Sequence, residues 1–370
     1  MNIALTVALI LICIICSILQ YISTYKGKIF TIIILAISLL LIINNDWEFL
    51  PDTGEYLRYF DFIDIRSSIF NVKPNYGGFE PGFMALSLII KRIWNNHAFY
   101  LCLIFLIEYY CIYKSGKLLF EFREKTSIRT IEGETRPYYS AVFMSLWMGY
   151  FGMLYGVSVL RAGLGISIAL LGLIYFYKKD YLKAAILFIF SVSMQTFSVI
   201  FVVTAVLAYK MLTIKKKSSY YFWFAACVII WLSRISLFLS YAINALSGFL
   251  AHYIARFAKI NLFYNTVLGN GFWSKKNLMF LLLALIYIYY KPHNKKMYDA
   301  LLNVYMIGLT VTYLTNEMVI GYRLSDMFVI MSVPLSYYLV TNSDKLDLRG
   351  RLLLCALIVL LSFIIALRIV

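Results

Sequence analysis

The stretch VLRAGLGISIALLGLIYFY at residues 159–177 decides the fold class of this chain. It contains 19 residues and one charge, Arg161, near its beginning. The apolar core of a bilayer is about 30 Å thick, and a helix needs roughly 20 apolar residues to cross it. Residues 159–177 therefore predict a membrane-spanning helix, and apolar runs of the same kind recur from Ile3 to Val370.

The overall composition extends this prediction to the whole chain. Of its 370 residues, 62% are hydrophobic and 14% are charged. Soluble domains are about 45–50% apolar and about 25% charged, so a soluble globular protein is excluded, as are a disordered chain and a disulfide scaffold. We predict an all-α, polytopic membrane helix bundle in which residues 1–370 form a single transmembrane domain.

The apolar runs predict about ten to twelve spans. The clearest runs lie near residues 3–20, 29–43, 98–113, 138–155, 159–177, 219–241, 272–290, 301–315, 324–340 and 352–369. The first run lacks a basic leader and a cleavage site, so we expect it to be retained.

Two further apolar segments do not fit a simple crossing. Residues 80–94 are short, contain Pro81 and Gly82 and end in basic residues, which predicts an outer helix lying in the membrane interface. Residues 181–209 are too short for two crossings and have a polar centre at residues 191–196. This pattern predicts a re-entrant or short hairpin whose apex is buried against protein.

The basic residues set the predicted orientation. The chain has 34 Lys and Arg against 18 Asp and Glu, a net charge of +16, and in a membrane protein such an excess orients loops and does not indicate nucleic acid as a partner. With the two choices above, the basic clusters share one side, the cytoplasmic one, and both termini lie outside. If both short segments crossed instead, the basic tract at residues 114–136 would be exported, and this topology stays the alternative.

The outer side keeps two long polar segments, residues 44–97 and residues 241–276. The first is rich in acidic and aromatic residues, and the second carries Arg256. No Gly-rich loop followed by Lys-Ser/Thr is present, so energy must come from a gradient or an activated substrate. The histidines lack ligand spacing and the cysteines lie in or beside apolar runs, which predicts no metal site and a packing role for the thiols.

Arginines mark the candidate binding residues. Arg161 and Arg323 each open a span, and Arg234 is predicted in the outer half of its helix. Guanidinium is permanently charged and grips two oxygens at once, as a phosphate or pyrophosphate at the membrane boundary requires. The alternative for each is snorkelling or pairing with a helical carboxylate, for example Arg323 with Asp326.

Several short blocks around these residues resemble the EpsG-type family of membrane polysaccharide polymerases, broadly the Wzy polymerases. The blocks are DTGEY (52–56) with Tyr59, GFEPGF (78–83), SVLRAGLG (158–165), MQTFS (194–198) and YRL (322–324). Two positions depart from the family pattern: Ala162 replaces the usual Gln, and Gln195 stands where His is usual. An amide can only hydrogen-bond, so no proton acceptor is expected at residue 195.

The resemblance implies a GT-C-like fold in the bacterial inner membrane and a polymerase without a cofactor. The donor would be a glycan on undecaprenyl pyrophosphate and the acceptor a second lipid-linked repeat unit, while a flippase and a chain-length regulator of the same pathway are implied as partners. We assign the acceptor hydroxyl to Asp52 or Glu80. The substrate-binding set is Arg161, Arg323, Arg256, Arg234 and Gln195, with Tyr56, Tyr59, Tyr76 and Phe79 as candidate sugar platforms.

Two other functions remain open at this point. A flippase for lipid-linked sugars predicts inverted repeats and broken helices, and no convincing repeat relates the two halves of the sequence. A membrane O-acyltransferase acting on surface glycans would need a His poised beside a carboxylate in the membrane, and no histidine of the sequence is so placed.

Overall fold

The computed structural model describes residues 3–22, 27–45, 50–69, 79–126, 139–156, 158–211, 216–253, 275–291, 296–316, 319–342 and 346–366. Every regular element in these ranges is helical, which confirms the predicted all-α class.

The helices follow the apolar runs in order along the chain. The first group comprises α1 (Ile3–Ile22), α2 (Gly27–Ile43), α3 (Pro51–Phe62), α4 (Pro81–Ile93), α5 (His97–Thr126), α6 (Ser140–Trp147), a π-helical turn (Met148–Gly152), α7 (Met153–Tyr155) and α8 (Leu160–Tyr177). The second group comprises α9 (Tyr181–Met194), α10 (Ser198–Met211), α11 (Lys217–Leu232), α12 (Ile235–Tyr253), α13 (Lys275–Tyr289), α14 (Lys296–Leu314), α15 (Val319–Val329), α16 (Ser332–Asn342) and α17 (Leu348–Ala366).

Four helical segments of the described residues are long and apolar enough to cross a membrane. They are His97–Glu121, Leu160–Tyr177, Leu324–Thr341 and Leu348–Ala366, and the bent pair Lys217–Leu232 with Ile235–Ile243 adds a fifth if it forms one span. The predicted runs are mainly helical where they are described, with breaks at residues 233–234 and 330–331, but the larger number of crossings stays a prediction.

The predicted span over residues 219–241 is helical but interrupted, and whether it crosses the membrane stays a prediction. The helix breaks between α11 and α12 with a bend of 66°. Arg234 lies in the break with a φ of 53°, so it is not in the outer half of a helix. The αL conformation at Arg234 redirects the backbone, and the N–H of Leu237 donates to the carbonyl of Arg234 to begin the next helix.

The chain divides into two compact units. The first comprises Met1–Val202 and Val340–Val370, and the second comprises Val203–Leu339. The helices that carry the best-defined site, α3 to α5 and α8 to α9, belong to the first unit.

In the first unit, α5 and α8 run parallel and α9 returns antiparallel to α8. Lys178 Nζ at the end of α8 lies 3.4 Å from Glu121 Oε2 on α5. The turn at Lys179 then reverses the chain, so that α9 runs back along α8. Glycines allow α8 and α9 to approach closely, because a Cβ on Gly172 would lie 2.8 Å from the Phe188 ring and one on Gly165 2.7 Å from the Gln195 Cβ.

Residues 181–209 form two helices separated at Gln195–Phe197. Among the described residues α9 packs mainly against α8, so a hairpin of α9 with α10 stays a prediction. Ser191, Gln195 and Ser198 beside the break are at most 4% exposed, whereas Thr196 within it is exposed. The Ser191 hydroxyl donates to the carbonyl of Gly165 on α8. Protein therefore covers part of the polar centre, and its tip at Thr196 is open.

Helix α4 holds the end of α3. Lys91 on α4 is buried, and its ammonium donates to the carbonyl oxygens of Phe60 and Asp61 at 2.6 and 2.7 Å. These carbonyls lack intrahelical partners, so the lysine caps α3. Burial lowers the pKa of Lys91, and the carboxylates of Asp61 and Asp64 oppose that shift. The end of α3 is thus fixed to α4. The position of α4 in the membrane interface stays a prediction.

The second unit contains buried polar pairs of its own. Lys276 Nζ lies 2.5 Å from Asp326 Oδ1, and Lys291 Nζ lies 2.8 Å from Asp299 Oδ1. Each carboxylate is buried beside an ammonium, so its charge is compensated inside the helix packing.

Candidate functional site

An ion pair between Arg161 and Glu80 forms the centre of the candidate site. Arg161 Nη1 lies 2.7 Å from Glu80 Oε2, and the two side chains are 17% and 13% exposed. The other carboxylate oxygen of Glu80 accepts a hydrogen bond of 3.1 Å from the backbone N–H of Thr196. The carboxylate thus bridges a partly buried guanidinium and an exposed backbone donor.

Three breaks in the helical structure bring these groups together. Glu80 precedes Pro81, the first residue of α4, and the steric demand of proline keeps Glu80 extended with φ −67° and ψ 145°. Arg161 is the second residue of α8, and Thr196 lies between α9 and α10. The site therefore forms where α4 and α8 begin and α9 ends.

Aromatic rings frame the guanidinium of Arg161. Its central carbon lies 4.6 Å from the ring centroid of Phe79 and 5.6 Å from that of Tyr56, both within cation–π range. Arg161 Nε lies 3.5 Å from the Tyr56 hydroxyl. The rings hold the guanidinium independently of Glu80, and its Nη2 has no partner among the described residues.

Tyr56 and Tyr59, predicted as sugar platforms, are each only 2% exposed. Tyr59 packs edge-on against Phe79 at a centroid distance of 4.6 Å, and burial raises the pKa of Tyr59 to about 12. Both rings are turned toward protein in this structure. They form the packed surface behind Arg161. Phe79 is only partly buried, and the remaining candidate, Tyr76, lies outside the described residues.

Asp52 belongs to the first turn of α3, which lies beside the beginning of α8. Its neighbour Thr53 has a hydroxyl 3.5 Å from the carbonyl oxygen of Ser158, three residues before Arg161. Asp52 itself is partly buried. The structure therefore brings the α3 block to the same end of α8 as Glu80.

Gln195 closes α9 one helical turn below Arg161. It is 4% exposed, its backbone N–H donates to Ser191, and its side chain faces Gly165 on α8. Since Arg161 and Gly165 are four residues apart on one helix, Gln195 lies below the ion pair on the same face. It helps to fix the Thr196 backbone and is buried rather than open to a ligand.

The structure does not test whether the other predicted arginines join this site. Arg234 is exposed and belongs to the second unit. Arg323 lies on α15, but the structure does not describe its side chain. Arg256 lies outside the described residues. Asp326, the expected helical partner of Arg323, lies against Lys276. A shared clamp of Arg161 and Arg323 stays a prediction.

Sequence reasoning missed one buried carboxyl group, Glu108 on α5. It is 0% exposed, and neither carboxyl oxygen has a hydrogen-bond partner among the described residues. Gly163 on α8 makes room for it, since a Cβ there would lie 2.4 Å from Glu108 Oε1. A lone Glu inside the apolar run of residues 98–113 was the available signal.

Within the described residues, no group of three His, Cys, Asp or Glu side chains is arranged to hold a metal ion. The charged groups at the site are instead one guanidinium and one carboxylate. Together with a backbone N–H they form a set that can bind an anionic oxygen and accept a proton.

The model of one protein family, the EpsG family, matches residues 28–370, which include every residue of this site. No curated protein and no solved structure matches the chain.

Proposed function

The chain belongs to the EpsG family, and from this premise we propose that it extends a surface polysaccharide with repeat units carried on undecaprenyl pyrophosphate. Family membership indicates a membrane polysaccharide polymerase and glycosyltransferase-type chemistry in general. The donor, the acceptor and the side of the membrane belong to the proposal. The observation that carries it is the partly buried Arg161–Glu80 pair beside α3.

The proposed reaction joins two lipid-linked glycans. The terminal hydroxyl of the acceptor attacks the anomeric carbon of the donor, the bond from that carbon to the diphosphate breaks, and its electron pair leaves with the diphosphate. The hydroxyl proton passes to a carboxylate. The phosphoanhydride-activated donor supplies the energy, so neither ATP nor a nucleotide sugar takes part.

The site offers a group for each need of this reaction. Arg161 is the group that stabilises the negative charge growing on the diphosphate, because a fixed, partly buried guanidinium acts on developing charge without having to reorganise. The carboxylate that receives the proton is Glu80 or Asp52. We further propose that Arg323, with Arg256 and Arg234, contributes to holding the diphosphate.

The length of α8 supports an outer location for this chemistry. The helix has 18 residues, and at 1.5 Å per residue it separates Arg161 from the Lys178–Lys179 turn by about 27 Å. That distance is close to the thickness of a bilayer core. Since lysine-rich turns favour the cytoplasmic side, we place Arg161 at the outer face of the bacterial inner membrane, where a flippase would deliver its substrates.

Substitution of Arg161 tests the proposal. We expect Arg161→Ala to lower chain elongation by about 100-fold or more, the scale for losing one donor to a developing oxyanion. Arg161→Lys should retain part of the activity, because it keeps the charge and loses the two-pronged geometry. The measurements are the length of surface-glycan ladders in cells and the turnover of purified protein with lipid-linked repeat units alone.

Arg58→Ala is the matched control, since Arg58 lies on α3 with a side chain 65% exposed and, among the residues that the structure describes, pairs with Glu55 on its own helix. It should leave elongation unchanged. Arg323→Ala and Arg323→Lys, made in parallel, test the second arginine in the same assays. Full activity of all the Arg161 and Arg323 variants at normal protein levels would remove the proposed diphosphate clamp. Transport without elongation would instead favour a flippase, and dependence on an acyl donor would favour an acyltransferase.

A further inference from the structure

The carboxylate of Glu80 sits where an anionic ligand of Arg161 would be expected. Its two oxygens take one guanidinium donor at 2.7 Å and the backbone N–H of Thr196 at 3.1 Å. A guanidinium and a backbone N–H that converge on one point form a favourable environment for phosphate oxygens. The chain thus fills its own anion site with a side chain.

We propose that Glu80 is a built-in occupant of the diphosphate site, and that the diphosphate of the donor displaces it and thereby frees it to accept the proton of the acceptor hydroxyl. This inference rests on the proposed function, because it assigns the anion site of Arg161 to the donor. It adds an order of events, in which the carboxylate becomes available as a base only after the donor has bound.

The surroundings of Arg161 permit such an exchange. The guanidinium lies against Phe79 at 4.6 Å and Tyr56 at 5.6 Å, so it keeps its position when the carboxylate leaves. Nη2 is an additional donor for a second oxygen of the ligand. A diphosphate carries more negative charge than one carboxylate, so it competes well for these donors.

The position of Glu80 in the chain also permits the exchange. It lies before the first residue of α4 and is not part of a helix, so its side chain can turn without unwinding one. Gly82, two residues after Glu80, lies close to Ser193 on α9, because a Cβ at Gly82 would collide with the Ser193 hydroxyl. The start of α4 therefore stays packed against α9 while Glu80 moves.

The chemistry of the step balances within the two substrates and Glu80. The acceptor oxygen forms the new bond to the anomeric carbon, and the bond from that carbon to the diphosphate oxygen breaks. The proton of the acceptor hydroxyl moves to Glu80, which later returns it to solvent or to the departing diphosphate. While Glu80 accepts from the Arg161 guanidinium and from the backbone N–H of Thr196, both of its oxygens are already engaged by donors.

Glu80→Gln separates the two roles of the residue. The neutral amide cannot compete with an anion for Arg161, so we expect the purified variant to bind inorganic pyrophosphate about tenfold more tightly than the unmodified protein. The same variant should elongate glycans at less than about one hundredth of the normal rate, the scale for losing a general base. Binding is measured by calorimetry in detergent, and elongation with lipid-linked repeat units.

Glu55→Gln is the matched control, because it makes the same charge change on α3 at a side chain that is 48% exposed and paired with Arg58. It should alter neither measurement. Arg161→Ala combined with Glu80→Gln should abolish pyrophosphate binding. If Glu80→Gln does not fold, Glu80→Asp replaces it, since a carboxylate shortened by one carbon cannot reach both donors and should also tighten pyrophosphate binding.

The outcomes distinguish this inference from the function on which it rests. Pyrophosphate binding that is unchanged or weaker in both Glu80 variants would overturn the displacement. Normal elongation by Glu80→Gln would overturn the role as a base. If Arg161→Ala abolishes elongation while the Glu80 variants bind pyrophosphate no more tightly, the proposed function stands and the displacement fails. If Arg161→Ala elongates normally, the assignment of the diphosphate to Arg161 fails.

Discussion

Arg161 shows how a single charged residue is made tolerable near an apolar helix. Its guanidinium is partly buried, and its charge is compensated by one carboxylate and by two aromatic rings. Removing one partner of a buried pair leaves the other charge uncompensated, which is more destabilising than replacing both. The functional variants of Arg161 and Glu80 therefore need a check of folded protein, for which size-exclusion elution serves.

Glu108 and Gly163 make a coupled pair at the same scale. A Cβ on Gly163 would lie 2.4 Å from one Glu108 oxygen and 2.7 Å from the other. We expect Gly163→Ala to destabilise the protein by about 1–3 kcal/mol through overpacking. Glu108→Ala removes the colliding carboxyl, so the double variant should recover most of that loss in thermal unfolding in detergent.

The control for this cycle is Gly350→Ala, because Gly350 lies near the beginning of α17 and the nearest atom to its added Cβ is the end of the Asp347 side chain. Equal destabilisation by Gly163→Ala with and without Glu108 would show that the two residues do not collide. In that case the close approach of α5 and α8 must depend on other side chains.

The sequence identified most residues of the site and little of their arrangement. Arg161 was singled out as a charge at the start of an apolar run, and Glu80 and Gln195 by their places in blocks that resemble the EpsG family. No spacing rule could show that Glu80 pairs with Arg161, since the two residues are far apart in the chain and meet only through packing. Tyr56 and Tyr59 stood out as aromatics, but their burial depends on Phe79 and α4, which only the folded chain brings together.

Among the elements, the α8–α9 hairpin depends on a turn of a few residues. Lys179 adopts the αL conformation with φ 65°, and the N–H of Asp180 donates to the carbonyl of Tyr175. This is the hydrogen bond of a Schellman ending, in which glycine is the usual αL residue. Asp180 then caps α9 by accepting from the backbone N–H of Lys183. The paired ammonium of Lys183 lowers the pKa of Asp180, so this contact is lost only as the pH falls through that lowered pKa.

Lys179→Gly should stabilise the protein. A residue with a Cβ at positive φ carries a strain of about 1 kcal/mol that glycine avoids. We expect the variant to unfold at a higher temperature in detergent, with unchanged elongation because the turn lies at the far end of α8 from Arg161. Lys183→Gly is the contrasting variant, since it places glycine inside α9 and should destabilise it. Stabilisation by Lys183→Gly, or destabilisation by Lys179→Gly, would contradict this account of the turn.

The existence of the helices was predictable from apolar runs, and their interruptions were less so. The polar centre at residues 191–196 correctly indicated the break before α10, because buried polar groups need partners that lipid does not provide. The break at Arg234 had no comparable signal, since neither glycine nor proline occurs there and an arginine is uncommon at positive φ. Tertiary packing decides such a bend, and a linear pattern does not contain it.

At the scale of the whole molecule, α8 relates the site to the membrane. It is among the most completely buried of the candidate spans, and it carries Arg161 at one end and the lysine-rich turn at the other. Helix α5 runs parallel to it and carries Glu121, in its last two turns, beside Lys178. The two helices therefore share one orientation, and determining the side of either end determines both.

Labelling of single cysteines tests that orientation. The six native cysteines are first replaced in a background that retains elongation. Glu55→Cys on α3 reports the Arg161 end of α8, and Lys179→Cys reports the opposite end; both positions are exposed. Because basic residues favour the cytoplasmic side, a membrane-impermeant maleimide should label Glu55→Cys from outside the inner membrane and reach Lys179→Cys only after permeabilisation. The reverse pattern would place the site in the cytoplasm, where lipid-linked repeat units are not exposed after export. Labelling of both positions from outside would show that α8 does not cross the membrane. The two ends of α8, about 27 Å apart, would then face the same side of the membrane.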